Sequence, residues 1–335
     1  MGLPIIGITM GDPTGIGPEI IVKALSMKDP FQFCRPFVFG DSEVLSKTAE
    51  RLGLNAAIET FEAAIPEEGY LPQRIFLLPL SRLKADSLHF GKPDKECGRA
   101  MVKYVEEAVK WVRRDRLDAI TTCPINKEAI NKAGYPFPGH TEFLAHLVQA
   151  SSVNMMFLGS RWKIVLVTTH LPLQEVPKWI TSDRVLSTIR MTEEGLKKYF
   201  RIPHPKIAVL GLNPHSGEEG LLGKEEQMEI TPAISKAKAQ GLVVEGPFPA
   251  DSFFNLSGPF AFDAVISMYH DQGLIPVKMS NFKEAVNFTL GLPFIRTSVG
   301  HGTAYDIAGK GIADPTNLIC AILTASNISK LKVNN

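Results

Sequence analysis

This chain lacks an excess of either charge. Its 36 lysines and arginines meet 35 aspartates and glutamates over 335 residues, a formal balance of +1. A protein built to neutralise a nucleic-acid backbone carries a marked basic excess, so that class is set aside; a local basic pocket for a small phosphorylated ligand is not. Cysteine is scarce as well. The four present (Cys34, Cys97, Cys123, Cys320) show no CxxC pairing. The start Met1-Gly2-Leu3-Pro4 lacks the basic stretch of a secretory leader, so the thiols are expected reduced, in a cytoplasmic protein. No apolar run approaches the roughly 18 residues needed to span a bilayer, and no repeat, low-complexity tract or long charge block interrupts the sequence. What remains, 44 % hydrophobic and 21 % charged residues, is an ordinary globular composition. At roughly 150 residues per domain, the length suggests two domains.

Short apolar runs alternate with amphipathic stretches throughout. Pro4 to Met10, Pro36 to Gly40, Arg74 to Leu80, Leu117 to Thr122, Lys163 to Thr169, Lys206 to Leu212 and Asp263 to Met268 read as strands. Gly17 to Leu25 opens a helix, and Gly98 to Arg114 is the clearest one, with Met101, Val102, Val105, Ala108, Val109 and Val112 near a 3.6-residue period. Strands apolar on both faces and separated by helices predict an α/β fold with a largely parallel sheet covered by helices.

Polar residues follow the strands. KIVLVTT runs into His170, KIAVLGL into Asn213-Pro214-His215, and DAVISM into Tyr269-His270-Asp271. Three parallel strands each delivering a histidine at the C-terminal end would converge where open α/β sheets bind ligands. Neutral imidazoles suit a divalent metal with open positions; strand-end caps are the competing reading, and the separations match no local metal motif. His140-Thr141, in a loop before a helix, suits either an anion or a simple cap. Gly11 to Gly17 follows a strand and opens a helix but is neither GxGxxG nor a P-loop, so a tight turn explains it as well as a ligand does. Nothing near Cys123 would lower its pKa enough for a nucleophile. Lys278, Asn287 and Arg296 lie in the last third. Arg296 sits inside the apolar segment LPFIRT, which argues against a solvated surface charge and for a substrate carrying phosphate or carboxylate.

Seven motifs occur in order along essentially the whole chain: GDPTGIGPEI, CPINK, PGHTEFLA, TTHLPL, LNPHSGE, MYHDQG and LGLPFIRTS. Together they resemble the family of 4-hydroxythreonine-4-phosphate dehydrogenase, which serves pyridoxal phosphate biosynthesis. The later segment HGTAYDIAGKGIADPT is similar to the adenosine-binding loop of isocitrate and isopropylmalate dehydrogenases, whose fold the family shares. The resemblance implies a two-domain α/β/α subunit, with residues 1–123 plus 296–335 on the cofactor side and 124–295 for metal, substrate and dimerisation. It implies a homodimer with the active site at the interface.

By motif, His170, His215 and His270 would bind a divalent ion (Zn, Mg or Co). His140, Thr141, Lys278, Asn287 and Arg296 would contact substrate. Lys278 and Asp271 are the candidates for moving a proton. His301, Gly302, Thr303, Ala304 and Asp306 would line the cofactor, and the Asp306 carboxylate favours NAD over NADP by repelling a 2′-phosphate. One departure stands out: the family usually reads SVDHGTA, and Gly300 replaces that aspartate here. Two other readings compete. One is a paralogous dehydrogenase of 4-phospho-D-threonate or 4-phospho-D-erythronate; the other is a metal-dependent hydrolase, against which the cofactor-like loop argues.

Overall fold

The computed structural model describes residues 2–62, 64–256 and 262–333. The chain forms two compact units, one of residues 1–151 and 292–335 and the other of residues 152–291. The first unit contributes β1 (Ile5–Thr9), β2 (Arg35–Gly40), β3 (Ala57–Thr60), β4 (Arg74–Pro79) and β5 (Ala119–Thr122). The second is inserted and holds β6 (Asn154–Leu158), β7 (Lys163–Leu166), β8 (Lys206–Leu210), β9 (Val243–Phe248), β10 (Ala264–Ser267) and β11 (Val286–Leu290). The chain then returns to the first unit as β12 (Ile295–Val299).

Strand order in the first unit is β3-β4-β2-β1-β5-β12, and every pairing is parallel. Its central strands are buried on both faces, as the continuous apolar runs require. The helix Lys95–Arg113 covers one face, and all six residues of its predicted stripe are buried. Asp94 caps this helix by accepting from the Cys97 amide at 2.8 Å. Near its C-terminal end Trp111 stacks on Phe37 and meets Phe39 edge-on, at centroid distances of 5.4 and 5.3 Å, which locks helix to sheet.

The second unit departs from the all-parallel expectation. Its order is β11-β6-β7-β10-β8-β9, and the pairs β11/β6 and β6/β7 are antiparallel. Only residues 159–162 separate β6 from β7, a link that suits a hairpin and is too short for a crossover. The remaining pairs, β7/β10, β10/β8 and β8/β9, are parallel. Trp162, Ile164, Leu166, Leu210, Phe253 and Val265 belong to one buried cluster on this sheet.

The boundary expected at residues 123/124 moves to 151/152. The reason lies in packing: Asn126 caps the short helix Lys127–Lys132, and its amide meets Met101 Sδ at 3.3 Å. That helix seats the Ala129 carbonyl against Gly98, where a Cβ would collide with backbone. The Gly98→Ala protein should therefore lose roughly 1–3 kcal/mol of stability, seen as a lower melting temperature by circular dichroism. An unchanged melt would show that this contact does not anchor residues 124–151.

Candidate active site

In the first unit Arg296, near the start of β12, reaches the end of β5. Arg296 on β12 is 1 % exposed, and its Nη2 donates to Thr122 Oγ1 on β5 at 2.7 Å. Burial pushes the guanidinium down to about 9, an effect the Glu142 carboxylate partly offsets. His140 opens the helix His140–Val148, and the next residue, Thr141, is buried. Burial, with the Arg296 charge adding to it, holds the His140 imidazole well below its usual value, so the ring is neutral near pH 7. Its Nε2 is buried with no hydrogen-bond partner among the described residues. A buried cation thus stands near an imidazole nitrogen that has no partner among the described residues.

The loop after β12 is irregular and firmly tied. Ile16 donates to the Thr303 carbonyl at 3.1 Å, and the Tyr305 hydroxyl donates to Asp12 Oδ2. Asp12 also accepts from the Thr14 amide and hydroxyl, each at 2.8 Å, and burial raises its pKa against these bonds. At the far end Lys23 Nζ donates to the Gly311 and Ala313 carbonyls and to Glu19, at 2.8, 2.7 and 2.8 Å. The glycine-containing turn at Gly11 to Gly17 thus supports the loop that begins at His301. Within the loop, Ala304 is held at φ +46° and Gly302 has open space above it. Burial lowers the His301 pKa, and its Nε2 has no hydrogen-bond partner among the described residues. Asp306 is exposed. Gly300 lies outside the left-handed region and donates to Asn317 Oδ1 at 2.7 Å. Burial pushes the Cys123 thiol up, which removes it as a nucleophile.

In the second unit the three histidine-bearing strands, β7, β10 and β8, are direct neighbours. The loops they feed are stitched sideways. Thr168, just after β7, donates its amide and hydroxyl to the Met268 carbonyl at 3.1 and 2.7 Å. Gln272 accepts from the Met268 amide and donates to the Gly211 carbonyl, both at 2.7 Å, tying the end of β10 to the end of β8. The His170 and His270 rings come to 5.8 Å between centroids. His270 Nδ1 lies 2.7 Å from Asp271 Oδ1, which orients the ring and leaves Nε2 as a donor atom, the arrangement metal-binding imidazoles adopt. His215 is exposed in a left-handed turn, with Nδ1 3.5 Å from Glu218 Oε2. Among the described residues no three His, Cys, Asp or Glu side chains are grouped to hold a metal within one chain. The structure pairs His170 with His270 and does not gather all three.

Lys278 lies two turns beyond His270 on the helix His270–Asn281, its Nζ 5.6 Å from the Phe282 ring. A pocket beside this helix is lined by His270, Asp271, Leu274, Ile275, Lys278 and Met279. Asn287 on β11 is 9 % exposed, and its Oδ1 is buried with no partner among the described residues. Sequence reasoning missed Thr122, Asp12, Gln272 and Glu226. The signals were weak: a threonine in a strand, and polar residues that fit turns or a solvated helix equally well.

Comparison with known proteins follows the geometry. The family model of pyridoxal phosphate biosynthetic protein PdxA matches residues 32–325. A 4-hydroxythreonine-4-phosphate dehydrogenase of Desulforapulum autotrophicum is 49 % identical, over 96 % of this chain and 95 % of its own. A D-threonate 4-phosphate dehydrogenase of Cupriavidus necator is 44 % identical, over 98 % of each. The crystal structure of the 4-hydroxythreonine-4-phosphate dehydrogenase of Klebsiella pneumoniae superposes with a TM-score of 0.88 at 36 % identity, covering 98 % of both chains. Matches of this length, in sequence and in fold, make the chain a member of the PdxA family of pyridoxal phosphate biosynthetic proteins.

Proposed function

We propose that the chain is an NAD-linked dehydrogenase, with NADP a poorer cofactor, that oxidises 4-phosphooxy-L-threonine at C3. Hydride leaves C3 for the nicotinamide and the hydroxyl proton is released. The product, 2-amino-3-oxo-4-phosphooxybutanoate, is a β-keto acid and loses CO₂ to give 3-amino-2-oxopropyl phosphate for pyridoxal 5′-phosphate synthesis. The observation that carries this reading is the full-length similarity to dehydrogenases of phosphorylated hydroxy acids. Oxidation of 4-phospho-D-threonate or 4-phospho-D-erythronate is the second reading, favoured by the name of the Cupriavidus necator relative.

The chain's own groups suit the reaction. Arg296, whose charge acts on nearby His140 and whose Nη2 donates to Thr122, would hold an anionic end of the substrate together with His140 and Thr141, since a desolvated guanidinium gains most from a carboxylate or phosphate. Asn287 would offer its buried amide to a substrate oxygen or ammonium. His301 to Ala304 and Asp306 would line the dinucleotide, with exposed Asp306 accepting from free ribose hydroxyls. His170, His215 and His270 would hold a divalent metal, and the Asp271-oriented His270 paired with His170 fits that role. When bound, the metal supplies Lewis acidity toward a substrate oxygen. Lys278 would either neutralise substrate charge as an ammonium or, as a free amine, take up the hydroxyl proton, and Asp271 orients His270 and could relay a proton to water.

We further propose a cytoplasmic homodimer whose metal ligands come from both copies. That arrangement reconciles two paired histidines in one chain with a set of three. Each histidine loop is followed within six residues by an exposed large apolar side chain, Leu173, Leu221 or Ile275, at 69, 79 and 57 % exposure. Surfaces of that kind are commonly covered by another subunit.

Three measurements test these readings. An assay following reduced nicotinamide at 340 nm should give the highest kcat/KM with 4-phosphooxy-L-threonine and NAD. A higher value with the amine-free acids would favour the paralogue, and no absorbance change with any of them would return the hydrolase. Arg296→Lys should raise KM by about 10- to 100-fold, the worth of one or two charge-assisted hydrogen bonds that the fork supplies and an ammonium cannot. An unchanged KM would remove Arg296 from the substrate. Inactive His170→Ala and His215→Ala proteins, unfolded together and refolded, should regain part of the activity, since one site of the heterodimer then keeps all three ligands. Verified heterodimers without activity would exclude a division of those ligands between subunits.

A further inference from the structure

Glu226 sits in the run Lys224-Glu225-Glu226-Gln227-Met228-Glu229, which reads as a solvated helix face, yet it is 3 % exposed. It begins a π-helical turn, Glu226–Ile230, ahead of the helix Thr231–Ala239. Its Oε1 accepts from the Leu212 and Asn213 amides, both at 2.7 Å, and its Oε2 from Asn213 Nδ2 at 2.9 Å. No ion-pair partner stands within 4.0 Å among the described residues, so three N–H donors carry the buried carboxylate. Those donors belong to Leu212 and Asn213, in the segment that leads from β8 to His215.

The backbone they lead into is unusual. His215, Ser216, Gly217, Glu218 and Glu219 all lie in the left-handed region, at φ between +44° and +80°. Four of the five carry side chains, which L residues rarely place there in succession. Such a run persists only where its surroundings over-determine it. The close packing of Gly217 supplies part of that: a Cβ there would stand 2.6 Å from Glu226 Oε2. The carboxylate therefore grips the entry of the turn through Leu212 and Asn213 and fills the space beneath its middle at Gly217.

We propose that Glu226 is a positioning residue: by fixing the left-handed turn, it sets where His215 presents its imidazole. The proposal rests on the reading of His215 as a metal ligand, and it assigns no contact between Glu226 and the metal or substrate. Outer groups that orient a ligand typically change metal affinity by 10- to 100-fold when removed.

The test uses full-length protein and Co²⁺ as the probe. Hydrogen–deuterium exchange of the 212–220 segment and a cobalt titration by visible absorbance are read on Glu226→Ala, Glu226→Gln and His215→Ala. Glu226→Ala should speed exchange in that segment and weaken cobalt binding at least tenfold. Glu226→Gln keeps an acceptor for the two amides and should recover most of both. Unchanged exchange at 212–220 in Glu226→Ala overturns the proposal whatever the metal does. Faster exchange with unchanged cobalt affinity overturns it too, provided His215→Ala weakens binding. If His215→Ala leaves cobalt binding intact, the metal reading of His215 falls and this role for Glu226 falls with it. Should Glu226→Ala fail to fold, Asn213→Ala removes one bond to the carboxylate. It should shift both readouts the same way by less, and no shift in either overturns the proposal.

Discussion

Backbone ladders end where the chemistry begins, and that constraint shapes the whole molecule. Parallel strands buried on both faces leave little room for functional groups along their length, so most, Arg296 on β12 being an exception, collect in the loops beyond the C-terminal ends. There the strand-to-strand hydrogen bonds stop, and side chains must replace them. Lys23 and Glu19 pin the end of the loop after β12, and Asp12 with Tyr305 pins its middle. Thr168 and Gln272 do the same between neighbouring histidine loops, each through a main-chain atom of Met268. Apart from Tyr305 to Asp12, these are side chain-to-backbone bonds, which hold a loop in one conformation without adding a second hydrophobic core.

The same constraint sets the electrostatics. The register of β12 places Arg296 beside Ile120 in a buried sheet, where its Nη2 donates to Thr122 Oγ1. Burial disfavours the cation there and pushes it down to about 9, although the Glu142 carboxylate partly offsets the effect. His140 shifts in the same direction: burial and the neighbouring guanidinium both favour its neutral form. A charged donor thus lies near a neutral ring whose Nε2 has no partner among the described residues.

Much of this was legible because long-range order leaves local traces. The helix over Lys95–Arg113 was visible from six apolar positions, and all six are buried. The strands ending at His170, His215 and His270 were visible as apolar runs and prove to be neighbours. What escaped was set by partners distant in sequence. β6 and β11 are antiparallel neighbours although more than 120 residues separate them, so NMMFL and VNFTL carry no sign of each other. β7 stops at Leu166, earlier than its apolar run, because Val167 and Thr168 turn their amides to Ser267 and Met268. Thr122 gave no signal at all, since a threonine in a strand is ordinary and its importance comes from a guanidinium 174 residues away.

Glu226 shows why charge patterns mislead at such sites. A glutamate between glutamate and glutamine is solvated on most helices, and only a π-helical turn brings this one inward. The strain it opposes is substantial, as a left-handed conformation costs a residue with a side chain roughly 1–2 kcal/mol. Four such residues follow one another around His215. A loop under that load relaxes unless something inside the fold resists, and a surface carboxylate, screened and mobile, cannot. The resisting group has to be buried, and burying a carboxylate is tolerable only when N–H donors surround it. The turn's own entry residues provide those donors, so the strained loop and the buried charge each stabilise what would otherwise be the other's liability.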